Sequence, residues 1–282
     1  MSDFPLVGGG VGILEEGFNF AATTGTTISV TVADTKGAWV EIVSAAANVN
    51  RTEWLFVVIG DVVSKATNSN YLFDIAIGAS GSEQIILNNL LAHTAATGSN
   101  ASSYSYQFPI AIPAGTRIAA RMQGTVTGND YECFIARGRG GIGWNALSQV
   151  DTYGATDSGD SRGTTVAITT AHTFGSWVEI TASTTAGYKG FVVACCRMAN
   201  ETSWSTGSVY YQVGVGASGS EEIFYSGNAM WSSNTSELVL GDGAVSHFIP
   251  VGIPSGERLS IRAQSTLNNT DLNLDYIIYG VR

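Results

Sequence analysis

Charge is scarce in this sequence. Only 13% of its 282 residues are Asp, Glu, Lys or Arg, against roughly 25% in ordinary soluble domains. Polar surface must therefore come from Ser, Thr, Asn and Gly, which hydrogen-bond and pack against neighbours at a smaller desolvation cost than charges. The charge that is present is mostly negative, with 13 Lys and Arg against 23 Asp and Glu and a formal net charge of −10. No basic patch is visible, so a nucleic-acid partner is not expected. Cysteine is nearly missing as well: Cys133, Cys195 and Cys196 cannot build a disulfide framework. The three histidines, His93, His172 and His247, stand at no metal-ligand or triad spacing. No metal and no other cofactor is expected. Long apolar runs are absent too, none approaching the roughly 18 residues that span a bilayer. The opening Met1–Gly10 has neither a basic nor an apolar signal segment. The expectation is a protein made in a cytosol and not inserted into a membrane.

What the sequence has in quantity is glycine, 34 residues of it, and an internal duplication. Trp39-Val40-Glu41-Ile42 recurs as Trp177-Val178-Glu179-Ile180, an offset of 138 residues. Gly78-Ala79-Ser80-Gly81-Ser82-Glu83 returns as Gly216-Ala217-Ser218-Gly219-Ser220-Glu221 at the same offset. Pro109–Arg117 returns as Pro250–Arg258 at 141, so a change of three residues falls between Gln84 and Tyr106, in a stretch read as a loop. The organisation expected is an N-terminal arm at 1–20, a first repeat at 21–137, a linker at 138–158 and a second repeat at 159–282.

Periodicity within each copy is two. Arg117, Ala119, Arg121 and Gln123 alternate with Ile118, Ala120 and Met122, and Arg258, Ser260, Arg262 and Gln264 alternate with Leu259, Ile261 and Ala263. These are half-buried strands with one wet face. Tyr71, Phe73, Ile75 and Ile77 alternate in the same way, as do Val209, Tyr211, Val213 and Val215. Ile85–His93 is the one segment with a helical spacing. The fold expected is all-β: two tandem antiparallel β-sandwiches of about eight strands each, jelly-roll-like, with a closed barrel as the alternative.

Residues kept in both copies are expected to serve the scaffold: Trp39 and Trp177 as core anchors, and Glu41, Glu83, Arg117 and Arg121 with Glu179, Glu221, Arg258 and Arg262 as cross-strand pairs. A duplicated ligand site is the other use open to them. The cysteines align with Leu274, Val57 and Val58, which marks them as apolar positions. Asp151, Asp157 and Asp160 offer oxygen ligands for calcium, or simply a solvated linker. Carboxylates for acid–base chemistry exist at Glu83, Glu221 and Glu237, but no pair is marked as sharing a cleft, so no enzyme is expected. Trp204, Tyr210, Tyr225 and Trp231 cluster in the divergent part of the second copy. Two uses fit them: filling a domain or subunit interface, where Trp and Tyr are enriched, or stacking on the rings of a glycan.

Ile77–Gln84 and Pro109–Gln123, with Trp39–Ile42 ahead of them, resemble a repeat of tailed-bacteriophage virion proteins, found in tail-fibre and other structural components. The resemblance covers both copies, with Leu259 and Ser260 departing mildly from Ile118 and Ala119. It implies a structural protein on the virion exterior, as a tail or fibre component or a capsid decoration. Its partners would be other virion proteins and further copies of itself. The resemblance supplies no catalytic residue. A host-glycan-binding adhesin module at a tail tip is the alternative. The glycine-rich arm suits clasping a neighbour.

Overall fold

The computed structural model describes residues 13–16, 25–60, 69–94, 104–138, 147–197, 207–234, 237–240, 244–266 and 272–282. The first half of the chain forms β1 (Ile13–Glu16), β2 (Thr26–Ser29), β3 (Val40–Val43), β4 (Trp54–Gly60), β5 (Ser69–Ile77), β6 (Gln84–Thr94), β7 (Tyr104–Phe108), β8 (Ile118–Gly124) and β9 (Asp130–Gly138). The second half forms β10 (Val150–Tyr153), β11 (Thr164–Ile168), β12 (Val178–Thr181), β13 (Gly190–Arg197), β14 (Gly207–Val215), β15 (Glu222–Asn234), β16 (Glu237–Leu240), β17 (Ala244–Ser246), β18 (Phe248–Ile249), β19 (Leu259–Ser265) and β20 (Leu272–Val281). No described residue is helical.

In the first repeat β2, β9, β4 and β7 lie side by side, and β3, β8, β5 and β6 form a second sheet. Lettering β2 to β9 as B to I gives the B-I-D-G and C-H-E-F sheets of a jelly roll. The second repeat repeats the order: β11, β20, β13 and β18 in one sheet, β12, β19, β14 and β15 in the other, with β16 added at the edge. The tandem sandwiches expected from the two-residue period are present. Inward side chains such as Tyr71, Phe73 and Ile75 on β5, and Val209, Tyr211 and Val213 on β14, fill the space between sheets.

Two local expectations are corrected. Ile85–His93 is a strand, paired with β5 along its length. Asn89 sits there at φ 57°, in the left-handed region, and the register slips beside it. That one extra residue puts Leu87, Leu90 and Leu91 at a helix-like spacing although all three are buried in a sheet. The second difference lies within 138–158, where Val150–Tyr153 is not free chain but β10, paired with Ile278–Val281 at the end of β20. β1 pairs with the end of β9 in the same way, so Ile13–Glu16 of the arm lies on its own repeat. The rest of the arm is outside the described residues.

The two repeats share one continuous apolar core. Tyr279 of β20 meets the rings of Tyr106 and Phe108 edge-on, at 6.0 and 5.8 Å between centroids. Its hydroxyl donates to Asn89 O at 2.8 Å and accepts from Leu91 N at 3.0 Å. Thr152 of β10 donates to Asn88 O at 2.7 Å, and Tyr106 donates to Leu91 O. β6 is the outer strand of its sheet, and these side chains occupy the edge that would otherwise offer free backbone groups to another chain. Deeper in the seam, Asp275 accepts from Asn70 Nδ2 at 2.8 Å and from Thr165 Oγ1 at 2.7 Å, while Asn70 Oδ1 stands 2.8 Å from His93 Nδ1.

Candidate functional site

The matched motifs meet on the outer face of the C-H-E-F sheet in each repeat. Gly78 and Gly216 turn the chain at φ 115° and 111°, a region that suits glycine, and bring the following Glu back over β8 or β19. Arg117 then donates from Nε to Glu41 at 2.8 Å and from its terminal nitrogen to Glu83 at 3.0 Å. Arg258 holds Glu179 and Glu221 at 2.7 and 2.9 Å. Gly81 N and Gly219 N each complete the clamp with a 2.9 Å bond to the carboxylate two residues on. Burial opposes ionisation of Glu83 and Glu221, yet the bonds from backbone N–H groups and the guanidinium outweigh it and hold both carboxyls below the usual range. The expected Glu–Arg pairs are therefore formed, and their charges are spent on one another.

Trp39 and Trp177 are placed differently from the expectation. They are half-buried on this outer face instead of in the core. Arg121 lies 4.4 Å above the Trp39 ring and Arg262 4.4 Å above that of Trp177, each contact contributing about 0.5–2 kcal/mol. Gly214 makes room below Trp177, whose ring carbon would stand 2.9 Å from any added Cβ.

Beyond the stacked pair the repeats diverge. In the first, Asp74 is 1% exposed and accepts from Lys36 Nζ at 2.6 Å, Arg121 Nε at 2.9 Å and the Asn89 N–H at 3.0 Å. In the second, Gln212 replaces Asp74, Phe174 replaces Lys36 and the bulge at Asn89 has no counterpart, the register slip of β14 and β15 falling between Val213 and Gly214. Arg262 now donates to Gln212 at 2.8 Å and lies between two rings, 5.0 Å from Phe174. The face around Leu72 and Gln123 is closed in the first repeat, where Gln123 donates to Asp157 O and Ser161 Oγ of the inter-repeat segment. The corresponding face of the second repeat is open. It forms a groove of about 380 Å³ lined by Phe174, Tyr210, Gln212, Ser226, Asn228 and Gln264.

Of the four aromatics singled out by sequence, Tyr210 reaches this groove and is 44% exposed. Tyr225 alternates to the opposite face of β15 and packs on Tyr211 at 6.0 Å. Trp204 is outside the described residues, and Trp231 is placed only as a strand position of β15, opposite Gly207. The sequence reading missed Gln212, Asn228 and Gln264; their shared outward parity was the signal available.

The other candidates are spread apart. Cys133, Cys195 and Cys196 are buried, and burial pushes the first two thiols up to about 12 and the third up as well. Asp151 accepts from Tyr188 at 2.6 Å and Arg282 at 3.0 Å, Asp157 offers its backbone oxygen to Gln123, and Asp160 pairs with Arg162 at 3.4 Å. No group of three metal-ligating side chains gathers among the described residues. His172 and its counterpart Asp34 share a left-handed backbone position, at φ 55° and 49°, which Asp and His tolerate better than most residues.

No family model and no curated protein matches the chain. Among solved structures it is weakly similar to PNGF-II: TM-score 0.44 at 8% identity in a P21 form and 0.41 at 8% in a C2 form. These matches cover 95% and 90% of this chain but only 65% and 64% of the PNGF-II chains. The CBM22-1–CBM22-2 tandem domain of Paenibacillus barcinonensis Xyn10C is also weakly similar, with a TM-score of 0.30 at 11% identity over 96% of this chain and 91% of that one. The likeness concerns the β-rich build alone. Among the described residues no helix is long and apolar enough to cross a membrane.

Proposed function

We propose that this chain is a non-enzymatic structural protein of a tailed-bacteriophage particle, displayed on the virion exterior as a tail, fibre or capsid-decoration component and acting through subunit packing. The observation that carries this reading is the use made of the matched charged residues. Each Arg–Glu set closes on itself as a clamp at a turn, leaving no free acid–base pair in either motif. The two jelly rolls are joined by a polar and aromatic seam, which suits a rigid building block. The virion setting itself comes from the resemblance of the Trp39–Ile42, Ile77–Gln84 and Pro109–Gln123 segments. Its partners would be other virion proteins and copies of itself, assembled after synthesis in the host cytoplasm. Cryo-microscopy and protein mass spectrometry of purified particles test it. The expected result is a fixed copy number per particle and density for both jelly rolls; absence from the particles overturns it.

A second reading, a host-glycan-binding adhesin, is favoured by one feature: the open, amide-lined face of the second repeat against the closed face of the first.

A further inference from the structure

We propose that the groove on the outer C-H-E-F face of the second repeat is a binding site for a neutral oligosaccharide, with one sugar ring lying on Tyr210. This rests on the adhesin reading and names its site and ligand class. Register places the side chains in rows. Asn228, Tyr210 and Gln264 stand opposite one another on β15, β14 and β19, and Ser226, Gln212 and Arg262 form the next row. Rows on one face are roughly 7 Å apart and strands about 4.8 Å apart, so a ring stacked on Tyr210 has hydroxyls within reach of amides on both sides. Amide and hydroxyl groups both donate and accept, which matches sugar hydroxyls. A site for carboxylate or sulfate needs donors alone, and the chain's net charge of −10 works against a polyanion.

The duplication supplies a comparison inside the molecule. Where the second repeat has Tyr210 opposite Asn228, the first has Leu72 opposite Leu91, both fully buried. An apolar pair suits a closed face, and the tyrosine–asparagine pair suits a wet one. Arg262 is braced by Trp177, Phe174 and Gln212 and holds the floor of the groove rigid, which lowers the entropy lost on binding. Tyr210 stacks, and the amides of Gln212, Asn228 and Gln264 with the Ser226 hydroxyl take the ring hydroxyls.

The test uses the full chain on an array of neutral hexasaccharides of glucose, galactose, mannose, xylose, rhamnose and N-acetylglucosamine, with hexauronates alongside, followed by calorimetric titration of any hit. The site predicts binding of at least one neutral hexasaccharide, weakened tenfold or more by Tyr210→Ala and several-fold by Gln264→Leu, with unchanged thermal midpoints. Binding that survives both substitutions overturns this site and leaves the adhesin reading standing. Binding of hexauronates alone overturns the neutral ligand class. No binding to any member overturns the site and the adhesin reading together.

Discussion

Asp74 shows how a single carboxylate can decide local architecture. It is enclosed by two cations and a backbone N–H, and the bulge at Asn89 has its amide satisfied by the same group. The second repeat drops the carboxylate, the lysine and the bulge together, and both sets keep one net positive charge. Asp74→Ala should destabilise the protein by about 3 kcal/mol or more, because it leaves partly buried cations and a backbone donor unpaired; Gln212→Ala should cost far less. Urea denaturation of the two variants checks the contrast. Asp275, in the seam between the repeats, is governed by its burial. Burial raises its carboxyl to about 6, with Thr165, Arg162 and Asn70 opposing and Asp160 reinforcing the rise. The folded state therefore binds this proton more tightly than the unfolded chain does. Its stabilising contribution is complete below the ordinary aspartate value and is lost as pH rises through about 6, on the order of 3 kcal/mol. About 1.4 kcal/mol of this is lost between pH 5 and pH 7.5, so the thermal midpoint should fall by roughly 3 °C over that range, and Asp275→Asn should flatten that change. The clamp glutamates act at lower pH: their carboxyls are depressed, so their contribution is lost only as pH falls below the ordinary glutamate range. The sequence displayed the clamps, since one turn and one ion-pair geometry demand the same residues twice. It did not display the partners of Asp275: Asn70 belongs to no repeated motif, and the recurrence of Gly25-Thr26-Thr27 as Gly163-Thr164-Thr165 does not reveal which residue Thr165 bonds.

At the scale of elements, the alternation of period two located the strands of both sandwiches, and it failed where β6 carries its extra residue. The bulge works against the change of repeat offset: β6 has one residue more than β15 there, so the offset falls from 138 at Phe73 and Tyr211 to 137 at Leu90 and Gly227. The insertion that brings it to 141 lies later, before Pro109 and Pro250. Edge protection also differs between the copies. β15 is paired with β16 over Trp231–Asn234, whereas β6 is capped by Tyr279, Thr152 and Tyr106. Tyr279→Phe removes the donor to Asn89 O and the acceptor for the Leu91 N–H, a loss of about 2 kcal/mol. Hydrogen exchange at the Leu91 amide should speed up roughly tenfold or more in that variant, while the amides of β14 should be unaffected. β10 escaped the sequence reading because a four-residue strand of mixed polarity, Val150-Asp151-Thr152-Tyr153, carries too little pattern to distinguish it from linker.

For the whole molecule, duplication produced two similar sandwiches with unequal surroundings. The first repeat buries both faces of β5, inward Tyr71, Phe73 and Ile75 and outward Leu72, Asp74 and Ala76. The second leaves Tyr210 at the surface on the corresponding strand. This asymmetry follows from the docking: the shared core, the β6 edge and the Asp275 site all join one repeat to the other. A seam of this kind couples their stabilities, since neither repeat can unfold without exposing Tyr279, Phe108 and the Asn70–Asp275 pair. Differential scanning calorimetry of the full chain at pH 6 is the direct test. One cooperative transition, with calorimetric and van't Hoff enthalpies in agreement, is the predicted result; two resolved transitions, each carrying about half the enthalpy, would contradict the single-body account.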